Sequence, residues 1–163
     1  MYSSSVTAAM TSTGEAEYDV TPEARAALTA PPAATRAEYV ERRVAATGIY
    51  GSAHELVDDD EVRAQAEAAY DRCFYPEGQA RQAAAVARTG SFAEMLRALQ
   101  VPTLVLHGDR DTLVDPSGGR RIAELIPGAR YVEIAGMGHD YPRAFWDRWI
   151  EEWLALVSTS ERS

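Results

Sequence analysis

Three aspartates, Asp109, Asp111 and Asp115, crowd into one short segment, and a histidine, His139, follows in another. A carboxylate that fixes an imidazole, which then moves a proton, is the acid–base pair of nucleophilic catalysis. Both segments sit at the same kind of place. Residues 103–106 form a short apolar run with β-branched members, which suits a strand buried on both faces. The character then switches at once to His107, Gly108, Asp109, Arg110 and Asp111. Residues 129–134 read as a second strand and end in Ala135, Gly136, Met137, Gly138, His139 and Asp140. Between them, residues 117–126 read as a helix with Ile122, Leu125 and Ile126 on one face and Pro127-Gly128 as the stop. Strand, helix and parallel strand make one right-handed crossover unit. In open α/β sheets, ligands and catalytic groups lie just beyond the carboxyl ends of the strands. Two consecutive strands thus deliver an acid and then a histidine to one edge of a sheet.

That order, acid first and histidine second, is the second half of a Ser…Asp…His triad on an α/β-hydrolase scaffold. The segments PTLVLHGDRDTLVDP and IPGARYVEIAGMGHD resemble the last two strands and catalytic loops of the α/β-hydrolase superfamily. Bacterial esterase-type members, among them the aclacinomycin methylesterases, are the most similar. Residues 60–140 follow the family pattern in order and spacing, and residues 1–59 follow it more loosely. The resemblance implies that Asp111 is the triad acid and His139 the triad base. Asp109 and Asp115 compete with Asp111, which is favoured because it lies a few residues beyond the strand end. The nucleophile motif G-x-S-x-G is nowhere in the sequence; Gly51-Ser52-Ala53-His54 and Gly90-Ser91-Phe92 do not match it. The oxyanion-hole loop, which precedes the nucleophile in the family, is missing too. His107 reads as a structural residue closing its strand, and His54 has no visible partner. The histidines are too widely spread for a metal site, and no cofactor is implied. Cys73, on an apolar helix face, reads as a small buried residue.

The expected fold class is α/β: a partial α/β-hydrolase fold with about three parallel strands at the C-terminal edge of the sheet and a helical cap insertion. Residues 1–14 are assigned to a first core strand (3–10) and its loop, 15–100 to the cap, and 101–163 to the C-terminal core with the acid and histidine loops. Seen through the family, the sequence begins just after the place of the serine. Within the cap, residues 15–35 read as loop with at most a short helix, and residues 36–47 as a helix closed by Gly48. Asp58, Asp59 and Asp60 precede an amphipathic helix and read as its cap, not as a metal site. Residues 76–88 are helical by propensity, and Ser91-Phe92-Ala93-Glu94 is a capping-box pattern for a helix to Leu99. In the family the cap supplies the apolar wall of the substrate pocket. Tyr39, Tyr50, Tyr70, Phe74 and Tyr75 either line such a wall or pack the cap against itself. From 143 to 157, Trp146, Trp149, Ile150, Trp153, Leu154 and Val157 recur at helical steps and predict a large buried face.

The 163 residues suffice for one core, and the apolar fraction of 46% is ordinary. A net charge of −9 argues against nucleic acid or an anionic membrane as partner. One cysteine cannot form an internal disulfide, which favours a reducing, cytoplasmic setting. The start lacks the basic and apolar regions of a secretory signal, and no stretch is apolar enough to span a membrane. Three functional readings follow. The chain is the C-terminal part of a serine hydrolase acting on a small-molecule ester or similar bond, or a non-catalytic remnant binding a small molecule or protein, or an enzyme using another nucleophile of its own. Loss of the neighbour to the first strand would also expose a sheet edge, inviting self-association or a partner chain.

Overall fold

The computed structural model describes residues 20–160. Five helices come first: α1 (Pro22–Thr29), α2 (Arg36–Tyr50), α3 (Asp59–Cys73), α4 (Pro76–Thr89) and α5 (Ala93–Arg97). A single 3-10 turn, His54–Leu56, interrupts them. Then follow β1 (Leu104–Gly108), α6 (Pro116–Leu125), β2 (Arg130–Ile134), a second 3-10 turn (Arg143–Phe145) and α7 (Trp146–Ser160). The strands are parallel, with Leu104 beside Arg130 and Gly108 beside Ile134. The equal register brings both strands to their carboxyl ends together. The third strand expected at residues 3–10 lies outside the described residues.

Local chemistry sets the helix starts. The side chain of Thr21 accepts the N–H of Ala24, with Pro22 at the first helical turn. Thr35 caps α2 by accepting from Glu38. Asp58 caps α3 by accepting from Asp60 and Glu61, the capping role read from the sequence. Asp115 caps α6 by accepting from Ser117. Gly48 does not close α2; the helix continues to Tyr50 and Gly51 ends it. α5 is shorter than the capping-box pattern predicts, although Ser91 Oγ still accepts the N–H of Ala93.

The core at the strand ends is Ile134, Met137 and Phe145, packed by Leu56, Leu106, Val132 and Trp149. Leu56 brings the helical segment into this core. The helical segment has a packing centre of its own, where Tyr39 meets Tyr70 and Phe74 with ring centroids 5.5 and 5.7 Å apart.

Two expectations fail here. Cys73 is exposed, not buried. It is the last residue of α3, whose one fully buried residue is Ala66, so the helix turns only a narrow stripe inward. The tryptophan stripe of α7 is not a single buried face either. Trp149 packs on the core, but Trp146 is 41% and Trp153 59% exposed. Ile150 and Leu154 are exposed with them. The residues turned inward are Phe145, Trp149 and Glu152, with Glu152 joined to Arg130 and, at 2.5 Å, to Arg148. The two described strands offer too little surface to cover both faces of the helix. Among the described residues no helix is long and apolar enough to cross a membrane.

Candidate active site at the carboxyl ends of the strands

The β1 loop is built around one carboxylate. Asp111 is 6% exposed, and its Oδ1 accepts the backbone N–H groups of Leu113 (2.9 Å) and Val114 (2.8 Å). This is the local turn that an aspartate forms with its own following backbone. Its Oδ2 faces two imidazoles. His139 Nδ1 lies 2.8 Å away and His107 Nε2 3.2 Å away. His107 Nε2 is also 3.0 Å from the Val114 carbonyl oxygen. A carbonyl and a carboxylate can only accept, so Nε2 of His107 carries the proton. By the same reasoning His139 carries its proton on Nδ1 and leaves Nε2 as a lone-pair base. Among the described residues no hydrogen bond engages that nitrogen. The His139 side chain is 19% exposed, so the nitrogen has access to a reactant.

The competing aspartates have other duties. Asp109 Oδ1 accepts the N–H of Gly136 at 2.7 Å and ties the two loops together. Asp115 caps α6. Of the three, Asp111 is the one placed against His139. His54 is exposed, at the start of the 3-10 turn.

Burial alone would raise the pKa of Asp111. Hydrogen bonds from His107 and His139, the charge on His139 and the Val114 N–H outweigh it and bring the carboxyl down to about 2 from 3.8. The group therefore adds stability that is complete above its unfolded pKa near 4 and is lost as pH falls toward 2. The size is about 2 kcal/mol. Denaturant unfolding at pH 7, 4 and 3 is expected to show this loss, and the same series on Asp111→Asn is expected to be flatter. An identical acid slope in the two proteins would rule this source out.

The histidine loop is held from the helical segment, and sequence reasoning missed these residues. The His139 N–H donates to the Tyr50 carbonyl at 2.6 Å. The Gly138 N–H donates to Ser52 Oγ at 3.0 Å, and the Ser52 hydroxyl in turn donates to Asp140. Asp140 also accepts the Ser52 N–H at 3.0 Å. Ala53 N–H donates to the Gly136 carbonyl at 2.9 Å. Ser52 is 5% exposed and its hydroxyl is committed to Asp140 and Gly138, so it serves as a strut. The Tyr50 ring stands edge-on to His139, centroids 6.5 Å apart. The acid loop is tied to the same segment, since Thr112 Oγ1 donates to the Ile49 carbonyl at 2.8 Å. The one sequence signal for this strut was Gly51-Ser52 just beyond a helix end. It failed the nucleophile pattern and carried no hint of a partner 88 residues away. His107 was read as a residue closing its strand; it is also a second donor to the acid.

The arrangement can orient one imidazole tautomer, leave its far nitrogen free to accept a proton, and stabilise the imidazolium that results. Among the described residues no group of His, Cys, Asp and Glu could hold a metal ion.

Known proteins share this architecture. The esterase RhEst1 from a Rhodococcus species is 27% identical and superposes with a TM-score of 0.62, over 83% of this chain and 48% of that one. A thermophilic esterase from Thermogutta terrifontis is 28% identical, TM-score 0.51, over 85% of this chain and 52% of its own. A bromoperoxidase from Bacillus anthracis shares the fold at 21% identity and a TM-score of 0.62, over 83% of this chain and 47% of that one. The chain thus spans about half the length of these structures. A stretch of 44 residues is 46% identical to the polyketide synthase ThaQ of Burkholderia thailandensis, covering 27% of this chain and 2% of that protein. Residues 23–141 match the family model described as alpha/beta hydrolase fold, well over half of the sequence. With its parallel strands presenting an acid loop and a histidine loop side by side, this chain belongs to the alpha/beta hydrolase fold family.

Proposed function

We propose that this chain carries the acid and base, Asp111 and His139, of a serine hydrolase that cleaves a small-molecule ester or similar bond. The serine nucleophile and the oxyanion donors come from a complementary segment outside this sequence. The observation that carries the reading is the 2.8 Å contact from His139 Nδ1 to Asp111, with Nε2 unengaged among the described residues. In the assembled site, His139 Nε2 takes the proton of the serine hydroxyl as its oxygen attacks the carbonyl carbon. The π pair moves onto the carbonyl oxygen, and Asp111 balances the imidazolium charge. Collapse of the intermediate expels the alkoxide, which takes the proton from His139 and leaves an acyl-enzyme. Water, activated by the same nitrogen, then releases the acid. The helical segment over residues 22–97 acts as the cap. The esterases among its structural relatives support the bond class. The complementary segment would also cover the apolar face that α7 leaves outward at Trp146, Ile150 and Trp153.

One observation favours a second reading: G-x-S-x-G is absent from all 163 residues. In that case the chain is a binding module that keeps the fold and a cavity without turnover.

The deciding experiment measures p-nitrophenyl acetate hydrolysis by the chain alone and by the chain co-expressed with an α/β-hydrolase N-terminal segment carrying G-x-S-x-G. The chain alone is expected to stay at the background rate. The pair is expected to exceed it by about 10⁴-fold or more. A folded, associated pair that remains at background would favour the binding module. Turnover by the chain alone, lost on mutating one of its own serines or Cys73, would instead mean an internal nucleophile.

A further inference from the structure

We propose that a cavity in the helical segment binds a carboxylate-bearing apolar molecule, with Arg43 as the anchor for the carboxylate. The placement of this ligand as a substrate rests on the hydrolase reading above; its binding does not. The cavity lies among α1, α2 and the junction of α3 and α4, and has a volume of about 480 Å³. That is within the size range of small-molecule sites. Leu28, Ile49 and Phe74 give it an apolar wall. The chain carries 25 acidic residues and a net charge of −9, yet among the described residues no Asp or Glu lines the cavity. Two arginines do, Arg42 and Arg43.

The two guanidinium groups differ in what they are free to do. Arg42 is committed: it donates to the Pro31 carbonyl and to Glu38. Arg43 makes no hydrogen bond or ion pair among the described residues. A guanidinium offers a planar fork of N–H donors that matches the two oxygens of a carboxylate. Among the described residues the wall is apolar, with one uncommitted cation and no competing carboxylate, and such a lining selects an anion with an apolar body. A cationic ligand would find no counter-charge there, and a neutral one would leave the fork unused.

The cavity also adjoins the site through Tyr50. Arg43 and Tyr50 are seven residues apart on α2, two full turns, so they share a face and lie about 10 Å apart along the axis. Tyr50 lines the cavity and stands against His139, ring centroids 6.5 Å apart. A bound molecule with its carboxylate on Arg43 would extend its apolar portion toward Tyr50 and the imidazole. On the hydrolase reading, the substrate is then an ester whose apolar portion ends in a carboxylate.

The test is equilibrium binding to the 163-residue chain, which needs no turnover. Hexanoate and its uncharged counterpart hexanamide are titrated, with chemical shifts of the Tyr50 and Ile49 resonances as the readout. Hexanoate is expected to bind at least tenfold more tightly than hexanamide. Arg43→Gln is expected to bring hexanoate down to the level of the amide and leave the amide unchanged. Arg97→Gln, an exposed arginine paired with Glu94 outside the cavity, is expected to change neither. Because Arg43 is exposed, its variant should fold; circular dichroism verifies this. Equal affinity for acid and amide, an Arg43→Gln variant that keeps the preference, or no binding of either would overturn the proposal. A positive result with an inactive complemented enzyme would overturn only the hydrolase reading.

Discussion

Asp111→Asn is expected to lower ester turnover by the complemented enzyme about 10⁴-fold. The reason lies in what an amide can offer at this position. Asp111 Oδ1 serves two backbone donors, Leu113 and Val114. The single oxygen of an asparagine is best placed there, which turns its NH₂ toward His139 and His107. A donor facing Nδ1 of His139 forces that nitrogen to accept, so the ring proton moves to Nε2. The base then has no lone pair on the side where a serine proton would arrive. The same NH₂ confronts the Nε2–H of His107, and two donors facing each other in a buried place cost about 1–3 kcal/mol of stability. Two measurements separate these effects. Imidazole ¹⁵N shifts of His139 report the tautomer in the chain alone, and turnover is read in the complemented enzyme. Asp109→Asn and Asp115→Asn are expected to leave the tautomer unchanged, since neither side chain reaches His139. More than a tenth of turnover surviving in Asp111→Asn, or a larger loss in either of the other two, would remove Asp111 from the role of orienting acid.

The site was legible to the extent that its chemistry is local. A short apolar run that breaks into polar, glycine-bearing residues marks a strand and its carboxyl-end loop, and this happens twice. Those two boundaries came within a residue or two of β1 and β2, because tight turns such as that at Gly136, with φ of 80°, need glycine. Asp111 was favoured over Asp109 and Asp115 by the family resemblance together with its position a few residues beyond the strand end, and it is the one of the three set against His139. What could not be read is long-range. Ser52 and Asp140 meet across 88 residues, and nothing in either neighbourhood names the other. His107 looked like a residue closing a strand, and only the curl of the loop brings Asp111 back to its ring. The face of α7 misled for a related reason. Periodicity reports that a helix has an apolar side, but not whether the surface that would cover it is present. Its inward side instead carries Glu152, whose burial depends on Arg130 of β2, a partner that no helical pattern reveals.

Gly138→Ala is expected to destabilise the chain by about 1–3 kcal/mol and to cost the complemented enzyme about 10²-fold in turnover. A Cβ at 138 would stand 2.2 Å from the backbone carbon and oxygen of Gly51 and 2.6 Å from the Tyr50 carbonyl oxygen. These are main-chain atoms at the end of α2, and Gly51 N–H is bonded to Thr47 at 2.9 Å, so they cannot rotate away. Gly51 is itself crowded, since a Cβ there would meet the Thr47 carbonyl oxygen at 2.5 Å. Two backbones without side chains therefore touch where the helical segment meets the histidine loop. Relief of the clash must move the loop, and with it the His139 N–H bond to Tyr50 and the Nδ1 contact to Asp111. A shift of about 1 Å in a positioned base is enough for the stated loss in rate. Gly48→Ala provides the contrast within the same helix. A Cβ there meets nothing within 4 Å, and replacing a glycine with helical backbone by alanine stabilises by about 0.5–1 kcal/mol. Thermal unfolding of the two variants should therefore move in opposite directions from the parent chain. A Gly138→Ala protein that unfolds at the parental temperature and keeps the parental His139 shifts would show that the loop is not seated by this contact.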